Sequence, residues 1–156
     1  MNEGDKISVC VTHRFSATAE RVFDAWVDPE KVCKFLFVTA TGQMLRTEID
    51  ARVGGGFTIV ERRAGEDVAH VGTYLEIDRP RRLVFLLAVP KYSSGQDRIS
   101  VDIRPLGSGC ELTLTHEMAS RQAEHRGRAQ EGWRRVLEML AEQLPLAEPS
   151  RAAGQG

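Results

Sequence analysis

Hydrophobic positions along this chain follow two rhythms. Between Gln122 and Leu144 the apolar residues Trp133, Val136, Leu137, Leu140 and Leu144 recur every three or four positions, with Glu131, Arg134, Arg135, Glu138, Glu142 and Gln143 between them. That period predicts one long amphipathic helix, starting between Ser120 and Arg128 and ended by Pro145. Upstream the period is mostly two. Ile7, Val9, Val11, His13 and Phe15 alternate with polar residues, as do Leu45, Thr47 and Ile49, then Phe57, Ile59 and Glu61. Ile99, Val101 and Ile103, and finally Cys110, Leu112, Leu114 and His116, repeat the pattern. Each such run predicts a strand with one buried face. Val68 to Ile77 reads as a longer strand. Leu83 to Val89 is apolar on both faces, which predicts a covered outer face or a partner surface.

Punctuation fits between these runs. Thr18 is placed to cap a helix carrying Val22, Phe23, Trp26 and Val27 on one face, with Ser16 as the alternative cap. Asp28-Pro29 supplies a second cap with proline at the first helical position, so a further short helix runs through Val32, Cys33, Phe35 and Leu36. Gly54-Gly55-Gly56 and Gly65-Glu66-Asp67 are expected turns.

A strand buried on one face needs a cover, and the long helix needs a surface. One helix is about 10 Å wide, while six or seven strands at about 4.8 Å spacing make a much broader sheet. The sheet must curl around the helix. The expectation is an α+β architecture: a curved antiparallel sheet of six to seven strands wrapped around a long C-terminal helix, with two short helices after strand one. Residues 1–146 form a single domain, and 147–156 an expected disordered tail.

Composition narrows the functional classes. The 156 residues carry 21 basic and 22 acidic side chains, net −1, which gives no basic footprint for nucleic acid. No run is long and apolar enough to span a bilayer, and no signal stretch opens the chain, so the cytoplasm is the expected location. Cys10, Cys33 and Cys110 are too widely spaced for a metal site and read as reduced thiols. His116-Glu117 lacks the later histidine of a zinc protease, no Gly-x-Ser-x-Gly elbow occurs, and the glycine triplet has no Lys-Ser/Thr after it. No catalytic residue, metal or cofactor is assigned.

The remaining chemistry lies in inward parity. His13 and His116 share the apolar face of their strands; each is either a cavity acid–base group or a histidine satisfied by a neighbour, the second being favoured. Glu61 shares parity with Phe57 and Ile59. It is either a cavity carboxylate or a wet residue at the sheet rim, and the rim is favoured. His70, opposite in parity to Val71 and Thr73, is expected in solvent. Tyr74 and Tyr92 are candidate hydroxyl donors. Arg62, Arg63, Arg79, Arg81 and Arg82 cluster at turns, as an anion-facing patch or, more simply, a solvated surface.

The order of elements resembles the START-like helix-grip superfamily, shared by lipid-transfer domains, plant pathogenesis-related allergens and polyketide cyclases. The resemblance rests on Phe15-Ser16-Ala17-Thr18-Ala19-Glu20-Arg21-Val22-Phe23 with Trp26 and Asp28-Pro29, on Val53-Gly54-Gly55-Gly56-Phe57, on Gly72-Thr73-Tyr74-Leu75-Glu76, and on Gly132-Trp133. Within the superfamily these motifs look most like the branch related to activators of the heat-shock chaperone ATPase. Relatives usually carry a tryptophan late in the second short helix; here Lys34-Phe35-Leu36-Phe37 has none, implying a differently shaped cavity mouth.

The resemblance implies a non-catalytic domain that binds a small hydrophobic ligand between sheet and helix. The alternatives are a cyclase- or dehydratase-type enzyme and a chaperone- or self-interaction module, with a homodimer through Leu83–Val89 as a second partner expectation. The candidate ligand-binding residues are Trp26, Phe35, Phe37, Phe57, Ile59, Glu61, Tyr92, His13, His116, Trp133 and Leu137.

Overall fold

In a computed structural model of the protein, residues 6–36, 42–90, 96–119 and 126–144 are described. Strand β1 (Lys6–Phe15) leads into helices α1 (Ala19–Val27) and α2 (Pro29–Phe35). Six further strands follow: β2 (Gln43–Ile49), β3 (Gly56–Arg63), β4 (Glu66–Asp78), β5 (Arg82–Ala88), β6 (Asp97–Leu106) and β7 (Gly109–Ala119). Helix α3 (Arg126–Gln143) closes the order. The strands form one antiparallel sheet in the order β1-β7-β6-β5-β4-β3-β2. This is the helix-grip arrangement. The expected tail at 147–156, and the candidates Phe37 and Tyr92, lie outside the described residues.

Local chemistry sets the helix ends. The Thr18 hydroxyl accepts from the Arg21 backbone N–H at 3.3 Å, and Asp28 Oδ1 from that of Glu30 at 3.0 Å. Each satisfies a donor that the first helical turn leaves without an internal acceptor. These two short helices carry the chain from one sheet edge to the other, because β1 and β2 are the two edge strands.

The β3–β4 turn is one residue tighter than Gly65-Glu66-Asp67 suggests. Ala64 (φ 51°) and Gly65 (φ 82°) both have positive φ, and Arg63 pairs directly with Glu66. Two residues of that kind match the right-handed twist of the flanking strands. At Gly56 and Gly72 the backbones are too close for a side chain: a Cβ on Gly56 would meet the Gly72 carbonyl, and one on Gly72 the Phe57 ring.

Helix α3 packs against β1 and α2. Trp133, Val136, Leu137, Leu140 and Leu144 are all buried, joining Val9, Val11, Phe15, Leu112 and Leu114 in the core. Burying each large apolar side chain contributes roughly 1.5–3 kcal/mol of transfer free energy. Strand β5 is buried along its inner face, while on its outer face Val84 is buried and Arg82, Leu86 and Ala88 are half-buried. Leu83, Phe85 and Leu87 point into the core, and Val84, on the other face, is also fully buried. In the sheet register Val84 lies between Glu76 and Ser100.

Candidate functional site

Helix α3 does not fill the concave side of the sheet. A cavity of about 600 Å³ remains between it and strands β3, β4, β5 and β7. Leu87, Val89, Ala129, Trp133, Val136 and Met139 make its apolar wall. Its polar groups are Arg63, His70 and His116 on the sheet side and Arg128, Glu131 and Arg135 on the helix. The volume lies within the roughly 300–1,000 Å³ of small-molecule sites, which pair an apolar lining with a few polar groups.

Two polar assemblies reach this cavity. In the first, the Trp133 indole N–H donates to His116 Nδ1 at 2.9 Å. An indole can only donate, so Nδ1 is the acceptor and the ring proton belongs on Nε2. That nitrogen faces Asp97 Oδ2 at 2.8 Å. Both ring nitrogens are therefore occupied, and His116 ties α3 to β6 and β7.

The second assembly centres on Glu61, which is fully buried rather than wet at a rim. Strand β3 does not end where the carboxylate sits; it continues through Arg63, which shares the inward parity. The Arg63 Nε donates to Glu61 at 2.5 Å. A buried carboxylate without such a partner would be strongly disfavoured.

His70 also departs from its expected place in solvent: it is 5 % exposed. Val68, His70 and Tyr74 form the inward set of β4, while Val71 and Thr73 are half-buried on the outer face. The apolar character of that outer face makes Val71 a poor marker of direction. Burial pushes the His70 pKa down to about 4; the Arg63 charge adds to the shift, and a hydrogen bond to Ile59 and the Glu61 charge oppose it. The imidazole is neutral at pH 7.

The other candidates sit elsewhere on the same concave side. Trp26 and Phe35 are buried in edge-to-face contact, ring centres 5.3 Å apart. Phe57 packs against Phe85 and Tyr74, and Ile59 and Leu137 are fully buried in the core. His13 lies against Phe15 with ring centres 4.7 Å apart. Of the candidates, His116 and Trp133 line the cavity and Glu61 stands behind Arg63. His70, Arg63 and Asp97 were outside the sequence-derived set. The arginines near turns do not form an open patch, since Arg62, Arg63, Arg79, Arg81 and Arg82 each bond a carboxylate. Burial raises the Cys110 thiol to about 11, as for an inert filler. Among the described residues no group of three or more His, Cys, Asp or Glu side chains could hold a metal ion, and no helix is long and apolar enough to cross a membrane.

A seven-stranded antiparallel sheet gripping a C-terminal helix over a cavity defines a START-like helix-grip domain. Residues 16–144 match the family described as Activator of Hsp90 ATPase homolog 1-like protein, and the chain belongs to that family. Protein CV1439 from Chromobacterium violaceum has a similar structure, with a TM-score of 0.78 and 26 % identity over 92 % of this chain and 98 % of that one. Protein NE0264 from Nitrosomonas europaea follows the same fold at 21 % identity, TM-score 0.75, over 87 % and 92 % of the two chains. So does SA2116 from Staphylococcus aureus, described as a protein of unknown function, at 16 % identity, TM-score 0.78, over 88 % and 93 %. No curated protein matches the sequence.

Proposed function

We propose that the cavity binds a small hydrophobic molecule and does not transform it. The observation that carries this reading is a space of about 600 Å³ beside α3 with Leu87, Val89, Ala129, Trp133, Val136 and Met139 as its apolar wall. Affinity comes from apolar burial against Trp133 and Val136, and the polar groups fix orientation. Acid–base work is less well supported. His116 has both nitrogens engaged, and His13 is absent from the described cavity wall.

The test is native mass spectrometry of the purified protein. A co-purifying small molecule is expected, and Val136→Trp, which projects bulk into the space, should exclude it. A bare protein mass that also fails to take up a hydrophobic dye would remove the reading.

A catalytic alternative draws on one observation, the neutral His70 beside the Arg63–Glu61 pair. It requires His70→Gln to abolish turnover of a bound ligand while leaving that ligand bound.

A further inference from the structure

Of the cavity's polar groups, Arg63, His70 and His116 stand on the sheet and Arg128, Glu131 and Arg135 on α3. Ile59 and His70 face each other across β3 and β4. Glu61 and Arg63 follow at the next two inward positions of β3, so three ionisable groups share one corner. Arg63 is the member of the ion pair that reaches the cavity: its side chain is 27 % exposed, against 1 % for Glu61. Arg128 and Arg135 face the same space from α3, against Glu131 alone. The ionised groups of the described wall are thus three cations and one anion, with Glu61 set behind the wall. The opposite wall, on α3, presents Trp133, Val136 and Met139 as its apolar surface, with the exposed Arg128, Glu131 and Arg135 on the same helix.

We infer that the ligand is an amphipathic carboxylate, its charged group seated at the Arg63–His70 corner and its apolar body laid along Trp133, Val136 and Met139. This rests on the cavity being a ligand site. A planar guanidinium suits a carboxylate, and a charge-assisted hydrogen bond in a partly desolvated corner is stronger than a neutral one. The Glu61 carboxylate holds the guanidinium in place and moderates its charge, so Glu61 is a positioning residue. At the imidazole, Arg63 outweighs Glu61, as expected of a corner with net positive potential. An alcohol of the same chain length would gain the apolar contacts but not the ionic one.

The experiment compares decanoate with decanol by displacement of a hydrophobic dye at pH 7.5. Decanoate is expected to bind on the order of tenfold more tightly. In Glu61→Gln the Arg63 charge is no longer cancelled, and the ratio should rise a few-fold. In the double variant Glu61→Leu/Arg63→Met both charges are gone, and the ratio should fall to about one; circular dichroism verifies that each variant is folded. A wild-type ratio near one, a ratio kept by the double variant, or a fall in Glu61→Gln overturns the inference, while decanol binding leaves the hydrophobic site standing. If neither probe displaces the dye, the ligand-site reading fails and the inference with it.

Discussion

Trp133 on α3 donates its indole N–H to Nδ1 of His116 on β7 across 2.9 Å. The bond joins the gripping helix to the sheet at the cavity wall, and Asp97 extends it from the start of β6. Trp133→Phe keeps an aromatic ring but removes the only donor an indole has. The buried Nδ1 would then lose its partner, at a cost of about 1–3 kcal/mol. Trp133→Ala adds a cavity and should cost about 3–5 kcal/mol. Urea unfolding of the two variants separates the terms. A Phe variant as stable as wild type would mean that the bond contributes nothing net.

Gly72 is required by Phe57. The two pair directly across β3 and β4, and a Cβ on Gly72 would overlap the Phe57 ring and the Leu86 carbonyl. The carbonyl belongs to the adjoining strand and cannot rotate away. Gly72→Ala should therefore destabilise the protein by about 1–3 kcal/mol through overpacking. Trimming the ring in Phe57→Leu/Gly72→Ala should recover part of that loss, read as a rise in the urea midpoint over the single variant.

The ion pair inside the cavity predicts an asymmetry between single and double substitution. Arg63→Met strands a carboxylate that is 1 % exposed, and breaking a buried pair in this way costs about 3–5 kcal/mol. Glu61→Leu/Arg63→Met strands nothing and should be close to neutral. A chemical-denaturation cycle over the four proteins measures the coupling. Additive losses would show that the two charges act independently.

These residues mark how far the sequence carries. The stripe of α3 and the caps Thr18 and Asp28 were legible because each depends on neighbours within a few positions. Glu61 was half legible: parity with Ile59 pointed it inward, and Arg63 two residues on was its same-face partner. Whether that point of the strand was rim or interior depended on what β4 and α3 place over it, which local spacing does not encode. His70 was misread because the half-buried Val71 and Thr73 on the outer face blur the alternation. The Asp97–His116–Trp133 chain joins three elements with no fixed spacing between them, so no motif announces it. Their shared site required the register of β6 on β7 and the seating of α3.

His70 should make stability depend on pH. Its pKa is about 4 in the folded protein against an ordinary 6.5, so between those values the unfolded chain binds more protons than the native one. The unfolding free energy then rises with pH across that window. The stabilisation is complete above about pH 6.5 and is lost as the pH falls toward 4, amounting to about 3 kcal/mol over the full range. Carboxylates also lose favourable interactions in acid, so the slope of the wild type alone is not diagnostic. His70→Gln supplies the reference, because other titrating groups contribute to both proteins and largely cancel in the difference. Urea unfolding at pH 7 and pH 4.5 should show wild type losing about 2–3 kcal/mol more than the variant. Equal losses would mean that the imidazole gains its proton without leaving the folded state, as it would if the cavity were filled with water around it.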